Sequence, residues 1–403
     1  MPRRLLFVFC CFFGLLPAAA VQAQERDPFS PAALMQAPIT EWRTNGGSFS
    51  NQRYSPLTAL NSSNIAGLKG VWHTRLRGSG NGPQYSGEAQ PLVDDGVAYI
   101  VTGADDVFAV SIDSGDILWQ YTASLPPAMT TVCCSWTSRG VGLSEEHVYV
   151  GQLDGQLKAL DRASESWNQG NILWLHGGAP VWNTPAVDPQ LGLMYFSTGN
   201  AGADSNGAHR AGDNLFTSSI LALDVKTGQY RWHFQQVHHD IWGYDAPNPV
   251  MLFDIDIDGV SRKALTQAGK TGWFYILDRI TGAPLLGIDE KPVPQEARQA
   301  TAATQPFPRG DAFVPQSLRV PPEGVTLVNE GRIFTPYWTD AVAIAPGAGG
   351  GANWPPSAHD PRTGYSYVCA SDRPFLYAGI DISDEPPKPG DRYTAGVFLG
   401  EAM

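Results

Sequence analysis

The sequence predicts an all-β fold of repeated small sheets, arranged as a β-propeller, and three observations favour it. The 403 residues include 43 Gly and 12 Trp but only 16% charged residues, which suggests many tight turns and a large β core. Short apolar strands come in pairs around turn signals, as in Val93-Asp94-Asp95-Gly96-Val97. A pattern of about 50 residues recurs along the chain, which is typical of propellers. An open β-solenoid is the alternative.

The repeat consists of an apolar strand, Ala-x-Asp, a Thr/Ser-Gly turn, and a Trp four residues after that Gly. Its clearest copy contains Ala222, Asp224, Thr227-Gly228 and Trp232. A tryptophan that recurs at the end of each unit is expected to lie between adjacent blades and to cover an apolar gap there. Successive end positions lie 47 to 58 residues apart, at Trp72, Trp119, Trp174, Trp232 and Leu286.

The first 23 residues are predicted to be a secretory signal. Arg3 and Arg4 precede an apolar run over residues 5–16, and the small residues Val21 and Ala23 indicate cleavage after Ala23. A membrane anchor is the alternative. Residues 24–403 would then form one exported domain, which we expect in the periplasm. The formal charge of −12 argues against a nucleic-acid partner, and no Cys-x-x-Cys-His signal for covalent haem occurs.

Residues 289–335 are rich in proline and are predicted to be an irregular insertion over one face of the domain. Seven prolines occur within them. Long loops in compact folds are often functional.

The adjacent cysteines Cys133 and Cys134 are the most unusual dipeptide. Neighbouring Cα atoms lie about 3.8 Å apart, closer than ordinary disulfides prefer. A bond between them would form a small, strained and rigid ring, whereas two buried thiols are the alternative. Arg139 follows five residues after Cys134, and its guanidinium suits bidentate pairing with a ligand carboxylate.

In these residues the chain resembles a dehydrogenase that depends on pyrroloquinoline quinone (PQQ), of the quinoprotein alcohol dehydrogenase family. It is also similar to the membrane-type glucose/quinate branch. The resemblance extends from about Glu41 to Asp372. It includes the opening segment Trp42…Gly46-Gly47…Asn51-Gln52-Arg53-Tyr54-Ser55-Pro56-Leu57 and the pair Cys133-Cys134 with Arg139-Gly140. It implies a propeller of the eight-bladed quinoprotein type.

The resemblance also implies cofactor contacts. Cys133 and Cys134 would stack on one face of PQQ and Trp182 on the other. Polar contacts to the cofactor would come from Glu88, Arg139 and Asn353. Lys270 would lie beside the reactive quinone oxygens, where a positive charge stabilises developing negative charge.

A metal is implied as well. Asn200 matches a metal ligand of the family, and oxygen ligands suit Ca²⁺, with a lanthanide as the alternative. The glutamate ligand usual in the family is missing from residues 150–155, where Gln152 or Asp154 is a candidate substitute.

The catalytic base of the family is also missing. The segment His238-His239-Asp240-Ile241-Trp242-Gly243-Tyr244-Asp245 has Gly243 where relatives carry the catalytic Asp. Asp245 is a candidate metal ligand or a substitute base. Lys270 is the second candidate catalytic residue. Losing a general base typically lowers a rate by about 10²- to 10⁴-fold.

The repeats account for about five blades and part of a sixth, so the propeller is predicted to be incomplete. A truncated sequence, or a separate C-terminal fragment that completes the ring, would explain the difference from eight.

Two functions are consistent with these residues. The first is a periplasmic PQQ-dependent oxidoreductase that oxidises a small alcohol, polyol or sugar and passes electrons to cytochrome c or a membrane quinone. The second is a non-catalytic, degenerate propeller that acts as an envelope scaffold. Gly243 favours the second, and the ordered set of cofactor residues favours the first.

Overall fold

The computed structural model describes residues 27–78, 85–125, 136–153, 157–162, 179–208, 210, 212–318, 320–321, 323–324, 326–381 and 396–401. Helix is limited in these ranges to α1 (Pro31–Leu34) and three 3₁₀ turns, at Ile65–Gly67, Ala297–Gln299 and Asn329–Gly331. No helix in these parts of the chain has the length and apolarity that a bilayer crossing requires. The predicted all-β class is confirmed.

The strands form successive antiparallel sheets in chain order. Strand β1 (Tyr85–Ser86) precedes sheet A, which contains β2 (Leu92–Asp94), β3 (Val97–Val101), β4 (Val107–Ser111) and β5 (Ile117–Tyr121). Strand β6 (Trp136–Thr137) pairs with β1 in parallel. Sheet B contains β7 (Gly142–Leu143), β8 (His147–Gly151) and β9 (Leu157–Asp161). Sheet C contains β10 (Ala186–Asp188), β11 (Leu193–Ser197), β12 (Ser219–Asp224) and β13 (Tyr230–Gln235).

Two more sheets and two hairpins follow. Sheet D contains β14 (Met251–Ile257), β15 (Val260–Ala268) and β16 (Phe274–Asp278). Strands β17 (Ile288–Pro292) and β18 (Thr304–Pro308) form one hairpin, and β20 (Ala358–Asp360) and β21 (Tyr365–Tyr367) form another. Sheet E contains β19 (Val342–Ile344), β22 (Phe375–Gly379) and β23 (Gly396–Glu401).

The repeated Asp and Gly residues build the same turn in sheets C and D. The Asp224 carboxylate accepts hydrogen bonds from the backbone N–H of Lys226 at 3.1 Å and of Thr227 at 3.0 Å. Asp278 does the same one sheet later. Gly228 and Gly282 close these turns at φ +69° and +75°, which glycine adopts without strain. The repeated Asp and Gly residues therefore specify this turn, through hydrogen bonds from the Asp and a backbone conformation that suits Gly.

Of the repeated tryptophans, Trp119 and Trp232 lie between adjacent sheets, as predicted, whereas Trp72 precedes the first sheet and is 39% exposed. The indole N–H of Trp72 donates to the carbonyl of Ile112, that of Trp119 to Arg162, and that of Trp232 to Arg279. Each acceptor directly follows the Asp or Ser of the next repeat. A Cβ atom on Gly282 would lie 2.5 Å from the Trp232 ring, so that glycine makes room for the indole. Trp174 lies outside the described residues.

Replacing Trp232 with alanine is expected to lower the free energy of unfolding by about 3–5 kcal/mol, because it empties an indole site that is 7% exposed. Trp232→Phe keeps most of the packing but loses the hydrogen bond to the Arg279 carbonyl. We expect that lost hydrogen bond to lower the free energy of unfolding by about 1 kcal/mol, in addition to the effect of the smaller ring. Urea titration measures both. The matched control is Tyr365→Ala at an exposed position. A Trp232→Ala variant as stable as this control would contradict the inter-sheet role.

The opening segment joins sheets that are far apart in sequence. Trp42 forms a β-bridge with Val93 of sheet A. The carbonyl of Phe49 accepts from Val187 of sheet C, and that of Ser50 accepts from Leu252 of sheet D. This explains structurally why a short motif at one end of the domain is so distinctive.

The proline-rich stretch 289–335 differs in part from the predicted irregular insertion. It contains most of the β17–β18 hairpin, in which Glu290 faces Pro306. Prolines are tolerated there because this sheet has only two strands. Each proline, which lacks a backbone N–H, can lie where its nitrogen faces away from the partner strand. Phe307 of this hairpin packs against a cluster of buried hydrophobic residues from sheets C, D and E, so the stretch is anchored to the domain.

Candidate active site

The site is built around a buried ion pair between Lys270 and Asp245. Lys270 lies in a tight turn after β15, and its ammonium donates to Asp245 Oδ2 at 2.6 Å and to the Gly243 carbonyl at 2.7 Å. The lysine is 7% exposed. Gly350 packs on the lysine stem where a Cβ atom would clash, and the N–H of Gly351 donates to the Lys270 carbonyl at 2.7 Å. This loop therefore holds the ammonium against Asp245.

Asp240 shapes the turn that presents Gly243 and Asp245. Its Oδ1 accepts from the Trp242 N–H at 3.0 Å and its Oδ2 from the Tyr244 N–H at 2.9 Å. Burial raises the pKa of Asp240 to about 7. The Trp242 indole is anchored in turn on the carbonyl of Thr335 at 2.8 Å. Sequence reasoning had assigned Asp240 no role of its own.

Asn200 lies on the other side of Asp245. Its backbone N–H donates to Asp245 Oδ1 at 2.6 Å, and its side-chain amide donates to Asp204 Oδ1 at 2.9 Å. A Cβ atom on Gly199 would lie 2.7 Å from Asp245 Oδ1, so only glycine allows this approach. Burial raises the pKa of Asp204; the hydrogen bond from Asn200 opposes this rise, and the charge of Asp245 adds to it.

Asp204 was missed at the level of sequence. Its only signal was a carboxylate four residues after Asn200, and many surface loops contain such a residue.

Arg139 forms the second half of the site. Its guanidinium pairs with Glu88 at 2.7 Å and stacks over Trp182, with its Cζ 3.8 Å from the ring centroid. Trp354 lies farther away, at 5.7 Å. Burial lowers the pKa of Arg139 to about 10, and the charges of Glu88 and Asp245 oppose that shift.

Backbone hydrogen bonds tie the halves together. The N–H of Ala179 donates to the Asn200 carbonyl at 2.8 Å, and that of Gly199 donates to the Pro180 carbonyl at 2.9 Å. The segment that carries Trp182 is thus fixed to the segment that carries Asn200. The structure therefore brings together six of the residues selected from sequence: Glu88, Arg139, Trp182, Asn200, Asp245 and Lys270.

The remaining selected residues are placed differently. The Asn353 amide donates to Gly349 at 2.8 Å and its oxygen accepts from the Trp354 N–H, so it braces the loop over Lys270. The Gln152 amide donates to the Tyr121 hydroxyl at 3.4 Å. Cys133, Cys134 and Asp154 lie outside the described residues, so the vicinal disulfide and its stacking stay predictions.

The residues present fit a planar, anionic cofactor. Among the described residues, Arg139 Nε is a buried donor without a hydrogen-bond partner. The spare guanidinium N–H suits a carboxylate, and the Trp182 indole suits a flat ring on a face that the stacked guanidinium does not cover. The side chains of Asn200, Asp204 and Asp245 offer only oxygen donors to a metal, the type that Ca²⁺ prefers.

Comparison with known proteins identifies the family. The model for the PQQ-dependent glucose/ethanol/alcohol dehydrogenase β-propeller domain matches residues 42–164 and 159–395. The chain belongs to this family. It is 30% identical to the quinoprotein alcohol dehydrogenase PedH of Pseudomonas putida, over 99% of this chain and 76% of PedH. It is 29% identical to the quinohemoprotein alcohol dehydrogenase ADH IIB of Pseudomonas putida, over 84% of this chain but only 56% of that protein.

Solved structures show the same fold. The quinohemoprotein alcohol dehydrogenase from Comamonas testosteroni superimposes with a TM-score of 0.71 at 24% identity, covering 94% of this chain and 66% of that chain. A europium-containing methanol dehydrogenase gives a TM-score of 0.70 at 21% identity, covering 91% and 74%. The predicted β-propeller fold is confirmed, and the number of blades stays a prediction.

Proposed function

We propose that this quinoprotein is a PQQ-dependent oxidoreductase of the periplasm that oxidises a small alcohol, polyol or sugar and passes electrons to cytochrome c or a membrane quinone. Membership of a family of PQQ-dependent alcohol dehydrogenases supports the proposal. The main observation that supports it is that two pairs of side chains lie in one site: the stacked pair Arg139–Trp182 and the buried ion pair Lys270–Asp245.

The residues divide the work between binding and proton handling. PQQ, when bound, would accept the hydride that leaves the carbinol carbon. Trp182 would support its ring, while Arg139, held by Glu88, would pair with its carboxylates. The Lys270 ammonium sits where it stabilises negative charge that develops on an oxygen. Asp245 Oδ2 would take up the substrate hydroxyl proton only as a weak substitute for the base missing at position 243, because the Lys270 ammonium already holds that oxygen.

A non-catalytic scaffold is the second candidate, and one observation favours it. Gly243 stands where relatives carry the base, and its φ of +72° is a conformation in which glycine is preferred. A scaffold of this kind would show no tight binding of PQQ.

The test is binding of PQQ to the purified chain by equilibrium dialysis in the presence of Ca²⁺. We expect saturable binding, weakened about 10- to 100-fold in Trp182→Ala because stacking on an aromatic face is worth about 1–3 kcal/mol per ring system. The control is Trp338→Ala, since Trp338 stacks on Arg298 away from the proposed cofactor contacts. Dye reduction with alcohols, sugars and quinate follows. Absence of PQQ binding would reject the oxidoreductase and leave the scaffold.

A further inference from the structure

The side chains around Asn200 form an oxygen-rich cluster, in which the sequence predicts Asn200 and Asp245 as metal ligands but gives Asp204 no role. Asp204 Oδ1 accepts from the Asn200 amide nitrogen at 2.9 Å, which turns the amide oxygen of Asn200 away from that bond. Asp245 reaches the backbone of the same residue at 2.6 Å. Two carboxylates are therefore gathered on one asparagine.

The loop that carries Asp204 is anchored, so this placement is not a chance surface contact. The Arg210 guanidinium donates to the Ala203 carbonyl at 3.2 Å, directly before Asp204. Two residues after Asp204, the Asn206 amide donates to the Ile380 carbonyl at 3.0 Å, which ties the loop to the residue that follows β22 of sheet E. Asp204 itself is partly buried, and the charges that influence it are Asp245, Lys270 and Arg210.

Asp204 supplies a carboxylate that the expected set of metal ligands lacks. The family's glutamate is missing from residues 150–155, and the structure engages the Gln152 amide with Tyr121. The described part of the chain contains no group of three or more His, Cys, Asp or Glu suited to a metal, so a site there needs other oxygen ligands besides carboxylates. Asn200 supplies such an oxygen beside Asp204 and Asp245.

We propose that Asp204 is the carboxylate that completes a hard-cation site with Asn200 and Asp245, in place of the missing glutamate. This rests on the proposed function, because the cation would act beside PQQ. Ca²⁺ and trivalent lanthanides share the required chemistry, oxygen ligands with several negative charges. A cation bound there also competes with the Lys270 ammonium for Asp245, which links metal loading to the lysine.

The test compares the full chain with Asp204→Asn. This variant keeps the size and one side-chain oxygen but removes the charge. Ca²⁺ binding is measured by calorimetry, and Tb³⁺ luminescence lifetimes in H₂O and D₂O count the waters on the bound ion. We expect one site in the unmodified chain, about 10- to 100-fold weaker binding in Asp204→Asn, since ligand charge sets such affinities, and at least one additional water on Tb³⁺.

Asp213→Asn is the matched control, because Asp213 lies on an exposed part of the same long loop and takes part in hydrogen bonds through its backbone carbonyl. Unchanged affinity and water count in Asp204→Asn would overturn the inference, as would no cation binding by the unmodified chain. Circular dichroism without metal confirms that each variant is folded. Cation binding is measured without PQQ, so a chain that binds Ca²⁺ through Asp204 but no PQQ would reject only the proposed function.

Discussion

Gly243→Asp is expected to raise the rate of alcohol oxidation by the PQQ-loaded protein about 10²- to 10⁴-fold. A carboxylate at this position would restore a general base where relatives carry one. The carbonyl of Gly243 already accepts from Lys270 at 2.7 Å, so the residue belongs to the cluster around the ammonium.

The substitution is compatible with the backbone. Gly243 has φ +72°, and Asp and Asn enter this left-handed region more readily than other side chains. The strain is expected to be about 1 kcal/mol, small against the gain in rate.

Gly243→Asn is the matched control, because it has the same shape and backbone tolerance but cannot take up the proton. The measurement is dye reduction under saturating PQQ and Ca²⁺, with PQQ affinity determined separately for each variant. A Gly243→Asp protein no faster than Gly243→Asn would show that position 243 does not face the reacting hydroxyl.

Lys270→Met is expected to lower the free energy of unfolding by about 3–5 kcal/mol, because it leaves the carboxylate of Asp245 buried without its ammonium partner. Met matches the length of the stem, so the packing of Gly350 on that stem is largely retained. The loss is therefore electrostatic. Chemical denaturation at pH 7 measures it.

A double variant separates the lost pair from a packing defect. Lys270→Met combined with Asp245→Asn removes both charges and is expected to recover most of the stability that Lys270→Met loses. Lys263→Met, at a more exposed lysine of β15, is the control and should change stability by less than about 0.5 kcal/mol. A double variant no more stable than Lys270→Met alone would contradict the charge-pair explanation.

Much of the fold could be predicted because its signals are local. A turn that needs Asp224 to accept backbone N–H groups and Gly228 at positive φ places both residues within five positions. The same turn recurs at Asp278 and Gly282. The β17–β18 hairpin was hidden because prolines normally argue against strands, and their tolerance depends on having only one partner strand.

The candidate site was only partly predictable. Arg139, Trp182 and Lys270 belong to recognisable motifs, whereas Asp204 and Asp240 acquire roles only from contacts. Asp240 matters because its two oxygens cap a turn. Asp204 matters because the anchored loop brings it to Asn200.

The sequence by itself determined the repeated β architecture and the family, since both are matters of residue type at a fixed spacing, and it predicts that the expected base is missing at Gly243. Only the tertiary structure decided which charges face one another. The pairing of Lys270 with Asp245 and of Asp204 with Asn200 joins loops from different strands, and burial there makes each contact energetically significant.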